Sequence, residues 1–216
     1  MQTLAEKFLS AAEQREVTEV VRAMELATSG EIVPMIASRS HAYPQAALLC
    51  GLFLSTPLSL LFTAVIGPWI WIGGNNMWLF LAFWALFFAA FYGLTKRSDL
   101  LTRLFLNRRE VEEEVRKGAL TAFYAEKLHK TAGENGILLY ISVLEQKVWI
   151  LADAGINRKI EPHTWDALVT ELTCGIKAGH RCQALCAAIR RTGEILQNHF
   201  PHQRNDQDEL HNLILR

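Results

Sequence analysis

The chain of 216 residues carries 22 basic and 22 acidic residues, and 50% of it is hydrophobic. That balance excludes both the basic footprint of a nucleic-acid-binding protein and a polyacidic tail. The four cysteines, Cys50, Cys174, Cys182 and Cys186, lack the paired spacing of a secreted disulfide framework and point to a reducing compartment. The first residues are polar, with Glu6, Glu13, Glu16 and Glu19, and do not read as a secretory signal.

Ser10-Ala-Ala-Glu13 forms a capping box, and Val17, Val20, Val21 and Met24 follow as an apolar stripe at helical spacing. The pattern predicts a helix that ends at Ser29-Gly30. Glu31-Ile-Val-Pro-Met-Ile-Ala37 then reads as a strand, in which Pro34 predicts an edge position or a bulge.

An uncharged stretch runs from Ser40 to Thr95 and holds two apolar runs, residues 43–66 and 77–94. Each is near the ~20 residues that cross a ~30 Å hydrocarbon layer. Gly67-Pro68 and Gly73-Gly74-Asn75-Asn76 punctuate the middle, so the two runs predict a transmembrane helical hairpin. Pro57 is tolerable inside such a span. Trp69, Trp71 and Trp78 cluster at the turn, with Tyr43 and Tyr92 at the other end, in the manner of an aromatic belt. Arg39 precedes the hairpin, Lys96, Arg97, Arg103, Arg108 and Arg109 follow it, and the connecting loop is uncharged. The positive-inside bias then predicts a multi-pass protein of the cell (inner) membrane with both termini cytoplasmic and the lipid bilayer as its first partner.

Beyond the hairpin, Val111, Val115, Ala119, Ala122 and Phe123 line one face of a long amphipathic helix expected to end near Ala132-Gly133. Gly136-Ile-Leu-Leu-Tyr-Ile-Ser-Val143 and Val148-Trp-Ile-Leu151 predict a strand hairpin, its first strand covered on both faces. Pro162 suits the first turn of a helix with the stripe Trp165, Leu168, Val169, Leu172 and Ile176, which Gly179 interrupts. A last helix turns Leu185, Ile189, Thr192 and Leu196 inward and stops before Pro201. The expected organisation is residues 1–39 (helix and first strand), 40–97 (hairpin), 98–200 (remainder of the domain) and 201–216 (polar tail). The fold class is α/β: a small sandwich of about three or four strands flanked by helices and interrupted by the membrane hairpin.

Ser29-Gly-Glu-Ile-Val, the segment 124–128 with Lys130-Thr131, Gly136-Ile-Leu-Leu-Tyr-Ile-Ser, Val148-Trp-Ile-Leu-Ala-Asp-Ala-Gly-Ile156 and the Trp165 helix together resemble the TPM domain family. The chain is similar to a bacterial branch of that family in carrying a two-span hairpin directly after the first strand. The resemblance implies a fold more firmly than an activity. For plant-type members it implies acid phosphatase activity and calcium binding.

Glu31 opens one strand and Asp153 closes another, so the two carboxylates can converge at one end of the sheet as a metal site for Ca²⁺ or Mg²⁺. The alternative is that Asp153 caps the Ala-Gly turn and Glu31 pairs with a cation such as Lys159. His129 and His163 are the candidate acid–base groups, and Arg108-Arg109 can grip phosphate or lie on anionic headgroups. Cys182 and Cys186 lie one helical turn apart with His180 nearby, a metal-ligand pair that lacks a second pair and otherwise reads as core thiols. No phosphate-binding Gly-rich loop, nucleophile elbow or zinc-protease motif is present. Two functions follow: a membrane-anchored interaction or scaffolding module for other membrane proteins, or a divalent-metal-assisted phosphoric ester hydrolase using Glu31 and Asp153.

Overall fold

The structure is a computed structural model and describes residues 3–70, 76–131, 133–161, 163–202 and 211–216. The chain divides into two compact units, one made of Met1–His41 with Glu112–Arg216 and the other of Ala42–Val111.

In the second unit, α2 (Pro44–Ile70) and α3 (Asn76–Arg97) pack side by side as an antiparallel hairpin. Phe62 meets Phe83 and Phe87 edge-on at 5.7 and 5.1 Å, and Trp84 Nε1 donates to Thr56 Oγ1 at 3.2 Å. Gly51 lets Phe88 approach, since a Cβ there would stand 2.8 Å from its ring. Both helices are long and apolar enough to cross a membrane. α2 runs through Pro57 and past Gly67-Pro68 to Ile70, further than the punctuation predicts. A proline at residue 68 removes only a bond in the last turn, and Gly67 lies against the Asn76 side chain of the neighbouring helix. Trp69 and Trp78 are exposed at that end, Trp71 and the Gly73-Gly74-Asn75 turn lie outside the described residues, and Tyr43 is buried rather than belt-like. A short helix that the sequence pattern did not reveal, α4 (Asp99–Leu104), follows with Ser98 as its cap.

In the first unit, α1 (Ala11–Glu25) starts on its capping box: Ser10 Oγ accepts from Glu13 N–H and Glu13 Oε2 accepts from Ser10 N–H at 2.7 Å. These bonds hold the Glu13 carboxyl below its usual range. The sheet order is β3-β2-β1-β4, with β1 (Glu31–Ala37) parallel to β2 (Gly136–Ser142) and to β4 (Ile214–Leu215), and β2 antiparallel to β3 (Lys147–Ala152). β4 falls in the segment expected to be a polar tail. Its two residues carry no strand signal, and they pair only with Met35 and Ile36.

Pro34 sits inside the sheet, neither at an edge nor at a bulge. In β1 the backbone groups of even-numbered residues face the β4 side, as Arg216 N–H to Ile36 O at 2.9 Å and Ile32 N–H to Glu25 Oε1 at 3.3 Å show. Pro34 therefore lacks a donor only where β4 has no partner for it, and no ladder bond is lost.

Ile32, Ile36, Ile137, Leu139 and Ile141 fill one sheet face against α1, α7 (His163–Lys177) and α8 (Arg181–His199). Val17, Val21, Trp165, Leu168, Leu172, Leu185, Ile189 and Leu196 join them, as the helical stripes predict. α5 (Arg108–Ala125) supplies the opposite face. Val115, Ala119, Ala122 and Phe123 are buried, and a Cβ on Gly118 would stand 3.0 Å from the Tyr140 hydroxyl. α5 ends at Ala125, sooner than expected, where Lys127 turns left-handed and a 3₁₀ turn, Leu128–Lys130, begins.

Candidate functional site

Glu31 is the Cα partner of Gly136, and Asp153 N–H donates to the Gly136 carbonyl at 2.9 Å. The two predicted ligands therefore stand at the same end of the sheet, one strand either side of Gly136. This is the amino-terminal end of the parallel pair β1 and β2, opposite to the end where parallel sheets usually hold ligands. The Leu128 carbonyl covers Gly136, 2.6 Å from where a Cβ would be, so any larger residue there would strike backbone.

Glu31 is buried at 6% exposure and its N–H donates to Asn135 O at 3.2 Å. Asp153 is the N-cap of α6 (Ala154–Asn157), one oxygen accepting from Ala154 N–H at 2.7 Å. The capping role expected of it is thus real and occupies only Oδ1. Asp153 Oδ2 and Asn135 Oδ1 are buried without a hydrogen-bond partner, which in a native protein calls for an explanation such as an ion or a water.

The family-like segments close around this end. The Asn135 side chain donates to Ser29 O, Thr131 Oγ1 accepts from Asn135 N–H at 3.1 Å, and Thr28 Oγ1 donates to Phe200 O at 2.6 Å. Gly155 admits the Glu134 carbonyl to 2.4 Å of its missing Cβ, and Glu134 itself pairs with Arg158. Lys159 donates to His199 O at 3.0 Å and lies over the Phe200 ring at 4.0 Å.

The candidate acid–base groups are not brought together. His163 is exposed beside Glu161 at 3.1 Å, while His129 stacks obliquely on Tyr124 at 4.9 Å between ring centres. Arg108 and Arg109 open α5, the Arg109 N–H donating to Asn107 Oδ1 at 3.2 Å.

Sequence reasoning missed a polar chain at the opposite end. Ser40 Oγ lies 3.1 Å from the Tyr140 hydroxyl and donates to Ser142 Oγ at 2.9 Å, Ser142 donates to Glu145, and Ser40 N–H donates to Glu145 Oε1 at 2.8 Å. Burial pushes the Tyr140 hydroxyl above its usual range and keeps it a donor. The chain ties the exit of β1 to the β2–β3 turn, and no local signal joins residues so far apart in sequence.

β3 has no strand on its outer side among the described residues. A groove of about 470 Å³ runs along it, lined by Lys147–Ala152 together with Val115, Trp165 and Val169. Because Asp153 N–H points to β2, alternation turns the backbone groups of Val148, Ile150 and Ala152 outward.

A small α/β sandwich split by a helical hairpin is the class that this geometry defines. Residues 104–195 match the family model of the TPM domain. Among solved structures, the NMR structure of the BA42 protein from the psychrophilic bacterium Bizionia argentinensis is similar, with a TM-score of 0.60 and 20% identity over 100% of each chain. At that identity the likeness establishes the fold alone. No curated protein matches the chain.

Proposed function

We propose that the chain is an integral membrane protein, anchored by α2 and α3 with both termini cytoplasmic, whose TPM domain is an interaction module for other membrane proteins. The orientation is supported by Arg39, Lys96 and Arg97 at one end of the hairpin, with no charge in the loop at the other. The observation that carries the interaction reading is the open edge of β3. The opposite edge is blunted by a strand of only two residues, whereas β3 presents outward backbone groups at Val148 and Ile150 and the outward N–H of Ala152, whose carbonyl accepts from Asn157 Nδ2 at 2.7 Å, beside half-buried Trp149, Ile150 and Leu151. The occupant is an extended segment of another membrane protein that adds antiparallel to β3. Aliphatic side chains at alternate positions suit the groove, and charges of both signs suit Lys147, Lys177, Glu112 and Asp166 at its margin.

Ala152→Pro removes one outward N–H without touching the ladder to β2. A photocrosslinker at Lys147 in native membranes is expected to give discrete protein adducts, lost in Ala152→Pro while the melting transition of the purified chain stays in place. Adducts that survive the proline, or adducts with lipid alone, would overturn the edge reading.

A second reading rests on the two unpartnered oxygens, Asp153 Oδ2 and Asn135 Oδ1, beside the buried Glu31. An oxygen-lined end of this kind suits Ca²⁺ or Mg²⁺, and with a bound ion it can polarise a phosphoric ester. Binding to the folded state alone stabilises it by about 2.7 kcal/mol at a hundredfold excess over the dissociation constant. Millimolar Ca²⁺ or Mg²⁺ is then expected to raise the melting temperature, and Asp153→Asn to abolish the rise. An unchanged melting temperature with either ion removes the hydrolase reading.

A further inference from the structure

α1 and α8 cross where three ligand-type side chains meet. Cys182 and Cys186, four residues apart on one face of α8, bring their sulfurs to 4.0 Å, and Glu16 Oε2 of α1 stands 3.6 Å from the Cys182 sulfur. All three donor atoms lie within 4.8 Å of one another. The carboxylate is the ligand that the cysteine spacing alone did not reveal, since it arrives from 166 positions away. His180 and the exposed Cys174 are not part of the group.

We propose that Glu16, Cys182 and Cys186 form a site for a thiophilic divalent cation of the zinc class. In a tetrahedral zinc site, Zn–S near 2.3 Å and Zn–O near 2.1 Å put two sulfurs ~3.8 Å apart and a sulfur and an oxygen ~3.6 Å apart. The Cys182–Cys186 and Cys182–Glu16 separations of 4.0 and 3.6 Å lie within a few tenths of an ångström of these values, and the Glu16–Cys186 pair, within 4.8 Å, closes by the remainder through the exposed Glu16 side chain. Thiolate ligands select such ions over Ca²⁺ and Mg²⁺, which take oxygen. Binding forms two metal–sulfur bonds and one metal–oxygen bond, and the two thiol protons leave to solvent. Both thiols are buried while Glu16 is exposed, so the ion enters from the Glu16 side and a water completes the coordination there. The consequence is a clamp between α1 and α8, the two helices that cover the β1 face of the core.

The test is a Co²⁺ titration of the purified full chain in detergent, read by thiolate-to-metal charge-transfer absorption. One equivalent is expected to bind, to be displaced by Zn²⁺, and to raise the melting temperature. Cys182→Ser and Cys186→Ser should each abolish the band, and Cys174→Ser should leave it intact. Glu16→Gln, at an exposed position where folding is not at risk, should weaken binding by at least about tenfold, the lower end of what even outer ligand partners contribute. Absence of the band in the native chain, or a band that survives in both Cys182→Ser and Cys186→Ser, would overturn the proposal.

Discussion

Deleting residues 1–39 is expected to abolish cooperative folding, whereas replacing residues 42–111 by a short Gly/Ser linker should leave a soluble domain with one sharp unfolding transition. β1 is an inner strand, paired along seven positions with β2, and its removal strips β2 of a neighbour and exposes a long apolar edge. The same deletion removes Leu9, Val17, Val21, Ile32 and Ile36 from the core. At about 1.5–3 kcal/mol for each buried side chain, that loss is comparable with the whole 5–15 kcal/mol stability of a domain. Excision of residues 42–111 removes none of these contacts. The ends it joins are already close, since His41 Nδ1 lies 3.4 Å from Glu114 Oε2, and closing a short loop adds little entropy cost. Calorimetry and size-exclusion chromatography of the two variants decide the matter. A deleted chain that stays soluble and melts cooperatively would show that β1 is not part of the folding unit.

The elements most legible in the sequence are those whose local pattern and tertiary burial agree. The capping box at Ser10, the stripes of α7 and α8 and the unbroken run Gly136–Ser142 all appear where the pattern predicts them, because each buries its apolar face against the core. The failures are cases where partners rather than patterns decide. Ile214 and Leu215 become a strand only because Ser38 N–H and Ile36 O reach out to Arg216. Pro34 is interior because the missing donor faces a gap in pairing, a fact of register invisible to a rule that assigns prolines to edges.

Legibility of the candidate site divides in the same way. Glu31 and Asp153 are indeed brought to one end of the sheet, because strand order alone determines that. The covering Leu128 carbonyl, the orphaned Asn135 oxygen and the Tyr140–Ser40–Ser142–Glu145 chain could not be read, since each depends on side chains meeting across many residues. The cysteine pair illustrates the point most sharply. Its spacing is visible in the sequence, whereas the approach of Glu16 to the two sulfurs depends on how α1 packs against α8.

Arginine at Leu61 or Ala85 separates a membrane-inserted hairpin from one in water. Both residues are exposed on α2 and α3, Leu61 at 58%. In a water-soluble protein, exposed positions of this kind tolerate a charged residue within about 0.5 kcal/mol. Near the middle of a bilayer span, arginine instead costs on the order of 2.5 to 3.5 kcal/mol of insertion free energy. At 1.4 kcal/mol per factor of ten, the inserted fraction is then expected to fall on the order of a hundredfold, which a membrane-insertion assay with glycosylation or protease reporters measures directly. Reporters fused after Arg216 should remain on the cytoplasmic side in the native chain, with a reporter at Asn75 on the other. Full tolerance of arginine at both positions would mean that α2 and α3 do not meet lipid, and the hairpin would then have to find a protein partner for its exposed Leu, Phe and Trp side chains.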